Sequence, residues 1–302
     1  MPDLLTPGHP FRQWRTWTMP GSGLTLTGLS RANDKTFFHV PQLKLALDAG
    51  LVEGRQPETV LLTHTHLDHA KDLDYLAIRP GGAEISVPAE SEQYVRAYLR
   101  ATTELNQSAQ YDPALAADTT IRGVRPGDEF RFGKRGTHSA RVIGARHKIP
   151  CVGYIIREHR RELVPELAAH PKDQTFAALV KARRAAGAPV DREVTHPLFA
   201  YVGDTHTSAL EDATWLDEVP VVITECTFLH DEESPRADRV GHTVWPRLRP
   251  VIKAHPNTVF VLIHFSLRHS DEEITTHFEA DPLPNVVPWA GRDSLLPQQH
   301  GM

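Results

Sequence analysis

Cysteine is scarce in this chain of 302 residues: only Cys151 and Cys226 are present, each inside an apolar, strand-like run. Two such positions make no disulfide framework, and buried thiols in a reducing, cytoplasmic setting are the expectation. No apolar run approaches the ~20 residues needed to cross a bilayer. The opening segment "MPDLLTPGHPFRQWRTW" lacks a basic stretch followed by an apolar one, so no secretory leader is expected. There is no surplus of positive charge. The net charge of −5 excludes a globally basic nucleic-acid coat, so phosphate binding would need a local patch. Low-complexity blocks and repeats at the usual periods are also absent by inspection.

Histidine is abundant, with 18 in the chain. It is the commonest side-chain metal ligand and titrates near neutral pH. Three of these histidines and an aspartate fall within "HTHLDH", His64 to His69, one residue after the apolar "TVLL". A strand ending there would place His64 and His66 on one face, because alternate side chains share a face. The turn that follows would bring Asp68 and His69 beside them. Four donors so arranged cannot easily saturate one tetrahedral ion but can be divided between two. Imidazole and carboxylate suit zinc, and also manganese or iron.

More donors occur in the same setting. His147 ends "RVIGARH", Asp204 ends "LFAYVGD" and His264 ends "VFVLIH". Alone, each is explained by a satisfied core histidine or a capping aspartate; together they suggest groups delivered to one edge of a sheet sandwich. Asp48, closing "LKLALD", is suited to orienting a ligand histidine from behind. Strand candidates alternate with helix-like segments such as "AESEQYVRAYLRATTEL" and "SDEEITTHFEA", the latter opening on a Ser270–Glu273 capping box. That alternation argues an α/β protein with helices outside the sheets. Residues 157–195 are charged and alanine-rich with helical spacing, and read as an arm inserted between two strands of one domain spanning 1–302.

On these segments the chain resembles the metallo-β-lactamase superfamily, with its αββα sandwich. "GHTVW" is among the matching segments, and "HKIPCVGY", "ITECTF" and "HFSLRH" narrow the resemblance to the tRNase Z (ribonuclease Z) family, in its short plant-type form. The resemblance implies that His64, His66 and His147 hold one zinc, Asp68, His69 and His264 a second, and that Asp204 bridges them. It further implies a proton relay of Glu225 and His242, and Ser266 and Arg268 near the scissile phosphate. Two ions sharing a carboxylate can hold a hydroxide between them at neutral pH. Asp68 is then placed to take the proton of the attacking water, and His242 to protonate the leaving oxygen.

The implied activity is a cytoplasmic, homodimeric, zinc-dependent endoribonuclease that removes 3′ trailers from precursor tRNA. A small phosphodiester, a cyclic nucleotide, or an ester or lactone stays open as the substrate, as does a catalytically silent RNA-binding relative. Two basic stretches are candidates to meet phosphate: Arg131 to Lys148, which runs into His147, and the arm. The arm lacks the family's glycine-proline motif. "AKDL" replaces the glycines usual after the histidine-aspartate motif, His269 stands where tyrosine is usual, and Cys226 where alanine is common.

Overall fold

The apolar runs become strands buried on both faces, so successive residues feed two different cores. In the computed structural model, which describes residues 14–116 and 118–290, Leu61 packs between the sheets while its neighbours Val60 and Leu62 pack outward. The period-two alternation of a strand accounts for this. The first thirteen residues, which include most of the segment read as lacking a leader, lie outside the described residues. Among those described, no helix is long and apolar enough to cross a membrane.

Two seven-stranded sheets form the centre. The first contains β1 (Arg15–Thr18), β2 (Thr25–Arg31), β3 (Lys35–Val40), β4 (Leu45–Leu47), β5 (Thr59–Leu61), β6 (Glu84–Pro88) and β7 (Thr120–Val124), paired in that order. The second contains β8 (Glu129–Phe132), β9 (His138–Gly144), β10 (Val152–Leu163), β11 (Asp191–Gly203), β12 (Val221–Glu225), β13 (Val259–Ile263) and β14 (Val286–Pro288). Each half pairs four strands antiparallel and then adds three in parallel.

Phe38, Leu47 and Leu61 of one sheet meet Tyr154, Phe199, Ile223 and Ile263 of the other in the central layer. Helices Leu73–Ala77 and Glu92–Gln107 cover the outside of the first sheet through Leu73, Leu76, Val95 and Leu99. Helices Trp245–Ala254 and Asp271–Ala280 cover the second through Leu248, Ile252, Ile274 and Phe278. The order helix, sheet, sheet, helix is the αββα arrangement expected. The capping box also forms, with Ser270 Oγ accepting from Glu273 N at 3.2 Å and Glu273 Oε2 from Ser270 N at 2.6 Å.

The strands with no strong apolar run, β7 and β8, are half-exposed and charged, and β8 lies at a sheet edge. Residues 157–195 form a β-hairpin carrying two helices. Arg157–Leu163 of β10 pairs with β11 beyond the core, and Pro165–Ala168 and Gln174–Ala185 cap the tip. The charges that read as helical spacing include cross-hairpin pairs, Glu162 with His196 at 2.7 Å and Arg161 with Asp191.

Candidate active site

Six strand ends deliver the site. β9 and β11 both run antiparallel to β10, so their C-terminal ends share one edge, where His147 and Asp204 follow. Asp48 and His64 follow the parallel strands β4 and β5, Glu225 ends β12, and His264 follows β13. Asp48 (φ 60°) and His264 (φ 61°) both adopt left-handed backbone, which turns the chain sharply out of the strand. Such conformations cost about 1–3 kcal/mol each unless the surroundings enforce them, and aspartate and histidine are among the residues that tolerate them best. Gly203 (φ +61°) precedes Asp204, and a Cβ there would stand 2.7 Å from Thr63 Oγ1. Only glycine lets β11 come this close to the histidine loop.

The predicted donors converge as two groups sharing one carboxylate. His64 Nε2 lies 3.0 Å from His66 Nδ1, which lies 3.2 Å from His147 Nε2. Asp204 Oδ2 faces this group, 3.7 Å from His64 and 4.0 Å from His147. Its Oδ1 faces the other group, 3.2 Å from His69 Nε2 and 3.4 Å from His264 Nε2. Asp68 Oδ2 completes that group, 3.4 Å from His264 and 3.8 Å from His69. Asp204, His242 and His264 also fall within 4.8 Å of one another.

The hydrogen bonds behind these rings set what they present. His147 Nδ1 donates to the carbonyl of Gly241 at 2.9 Å, and His69 Nδ1 to Asp48 Oδ2 at 2.8 Å. Carbonyl and carboxylate oxygens only accept, so both rings, when neutral, turn unprotonated Nε2 atoms inward. His64 Nδ1 rests on Thr63 Oγ1 at 3.1 Å and His264 Nδ1 on Thr227 Oγ1 at 3.2 Å. Asp204 Oδ1 is buried without a hydrogen-bond partner. Lone pairs gathered this closely, with an orphaned carboxylate oxygen between them, fit cations.

The titration behaviour is consistent with that fit. Burial disfavours the charged form of His69, but Asp204 and Asp48 outweigh it and hold its pKa well above the usual histidine range. Burial likewise opposes ionisation of Asp204, yet His264 and His69 hold its carboxyl well below the usual range. Burial, reinforced by His69, pushes His64 well down.

Asp48 is completely buried and accepts from Thr63 N at 2.7 Å, Thr63 Oγ1 at 3.0 Å, Tyr201 Oη at 2.5 Å and His69 Nδ1. Glu225, also fully buried, accepts from Thr205 N at 2.6 Å, Thr243 N at 3.1 Å, Thr227 Oγ1 and His242 Nδ1 at 2.8 Å. Burial would lower the pKa of His242, but Glu225 outweighs it and the value rises to about 9. With Nδ1 on Glu225, Nε2 of His242 is left for the cleft. Thr227, Thr63, Tyr201 and the backbone of Gly241 were not singled out from the sequence; Thr63, Thr227 and Gly241 lie within two residues of a motif residue, the signal available for them.

Ser266 is nearly buried, its backbone N–H bonded to Thr227 O at 3.0 Å, and its Oγ accepts from Arg268 N at 3.3 Å. The Arg268 side chain is exposed. Arg31 pins this segment, donating to the carbonyls of Ser266 (3.0 Å) and His269. The basic stretch is less open to phosphate than its composition suggests. Arg131 pairs with Glu193, Lys134 with Glu58 (3.3 Å), Arg141 with Glu218 (2.7 Å) and Arg146 with Asp212 (3.0 Å).

Residues 36–164 match the beta-lactamase superfamily domain. The tRNase Z TRZ1 of Arabidopsis thaliana is 25% identical over 272 residues, covering 87% of this chain and 92% of that protein. The metallo-β-lactamase fold protein YhfI of Bacillus subtilis superposes with a TM-score of 0.52 at 14% identity, over 87% of this chain and 94% of that one. The short form of human tRNase Z (ELAC1) gives a TM-score of 0.47 at 15% identity, over 94% and 95%.

Proposed function

We propose that this chain, a metal-dependent hydrolase with the metallo-β-lactamase fold, is a two-zinc phosphodiesterase that cuts the 3′ trailer from precursor tRNA. The carrying observation is the buried Glu225 and its partner His242, set against two donor groups that share Asp204. His64, His66 and His147 would hold one zinc, Asp68, His69 and His264 the other, with Asp204 between them; the same donors accept manganese or iron. When bound, two such cations lower the pKa of water and neutralise phosphate oxygens.

The chain's own groups supply the proton transfers. The N–H of Asn33, 3.0 Å from Asp68 Oδ2, fixes that carboxylate, and its other oxygen accepts the proton of the attacking water. His242 Nε2 donates a proton to the leaving oxygen, while Glu225 holds the ring in the tautomer and orientation that allow it. The products are then a 3′-hydroxyl on the tRNA and a 5′-phosphate on the trailer. Ser266 and Arg268 lie two and four residues beyond His264, where the substrate phosphate would be met.

His242→Ala is expected to lower kcat by about 10²–10⁴-fold, the usual contribution of a positioned acid, with metal content by elemental mass spectrometry unchanged. Loss of both ions in that variant would show the role to be misassigned. The direct test incubates zinc-loaded protein with a 3′-extended tRNA and maps the cut to the nucleotide. Cleavage at the trailer junction supports the proposal, and an intact substrate refutes it.

A smaller substrate is the second reading, favoured by the internal pairing of Arg131, Lys134, Arg141 and Arg146. Turnover of bis(p-nitrophenyl) phosphate without cleavage of precursor tRNA would select it.

A further inference from the structure

We infer that Thr227 is a positioning residue that ties the proposed proton donor to one cation site and not to the other, an inference that rests on the function proposed above. Its side chain is buried and its Oγ1 meets three partners: Glu225 Oε2, His264 Nδ1 at 3.2 Å and His242 Nδ1 at 3.3 Å. A hydroxyl has one proton to give and lone pairs to receive with. The short contact to Glu225, an acceptor, takes that proton. The contact to His264 must then run the other way, with the ring donating from Nδ1.

That direction has a consequence for the site. A proton held at Nδ1 leaves Nε2 of His264 as a lone pair, directed at Asp204 Oδ1, Asp68 Oδ2 and His69 Nε2, each 3.3–3.4 Å away. Outer hydrogen bonds of this kind fix the tautomer and ring angle of a ligand histidine. The His64, His66 and His147 group has no share in Thr227; its outer nitrogens rest on Thr63 and Gly241. Removing the Thr227 hydroxyl therefore weakens one cation selectively. The Thr227 carbonyl, which accepts from Ser266 N, is unaffected by a side-chain change.

Thr227→Val keeps the branched shape and deletes only the hydroxyl. The full chain, stripped of metal, is titrated with Zn²⁺ against a chelating dye, for the wild type, Thr227→Val, Thr227→Ser and His264→Ala. The expected result is two ions in the wild type and, in the valine variant, a weakening of one by about 10–100-fold. Serine restores it. In a His264→Ala background, Thr227→Val adds nothing further, because the two changes remove one interaction.

A valine variant that binds both ions as the wild type does, or weakens both equally, overturns the inference. So does a serine variant that fails to restore binding. Since the readout is cation binding, a chain that binds two ions but cuts no phosphodiester refutes the proposed function and leaves Thr227 in place. A wild type binding fewer than two ions overturns both.

Discussion

Asp204→Asn is expected to lose both bound cations together and to lower kcat/KM by on the order of 10³-fold or more. The two carboxylate oxygens face different donor groups, Oδ2 toward His64 and His147 and Oδ1 toward His69 and His264. A neutral amide keeps the shape but removes the charge and turns an N–H₂ group toward one set of nitrogens. Cation stabilisation of a phosphoryl transition state is worth several kcal/mol, and each 1.4 kcal/mol is tenfold in rate. His66→Ala, by contrast, touches one group and is expected to empty one position first. Elemental analysis of the purified variants, paired with turnover, separates the two patterns. An asparagine variant with both ions and full activity would remove the shared carboxylate from the account.

Asp48→Ala carries the largest expected loss of stability. Four donor contacts end on this one buried side chain, from Thr63 N, Thr63 Oγ1, Tyr201 Oη and His69 Nδ1. Each donor left unsatisfied in a dry interior costs about 1–3 kcal/mol, and stripping a partner from a buried charged network costs about 3–5 kcal/mol. The melting temperature should fall by about 5–15 °C, and the affinity of the cation proposed for the His69 group should fall with it. Asp48→Asn keeps one oxygen and should recover part of the stability but not the orientation of His69. An unchanged melting temperature in the alanine variant would mean that Asp48 contributes little to holding β4, β5 and β11 together.

The donors were legible because each follows an apolar run. A strand buried on both faces must be apolar along its length, and the first polar residue after it marks where it leaves the core. "VFVLIH" and "LFAYVGD" both carry that signal, and both end at the shared edge. Strands β7 and β8 carry none, because half-exposed strands alternate with charge and read as loops. Residues 157–195 were legible in part. Alanine content and charge spacing suggest helix, and Gln174–Ala185 is one, but Arg157–Leu163 is strand, and its partners in β11, from Pro197 to Asp191, are too distant in sequence for local spacing to report. The basic stretch from Arg131 to Lys148 shows the same limit, since Glu193, Glu218 and Asp212, which neutralise three of its arginines, are distant in sequence.

From the order of residues alone came the inventory: imidazole and carboxylate groups at strand ends, a proton-relay pair by resemblance, and strands mixed with helices. Tertiary structure alone decided how Asp204 divides its two oxygens, which ring nitrogen each histidine turns inward, and that Thr227 stands between His264 and Glu225. The reason is range. Strand propensity and burial act over a few neighbouring residues, whereas the tautomer of a ligand ring depends on an acceptor brought in from as far as 94 positions along the chain, as Gly241 is for His147.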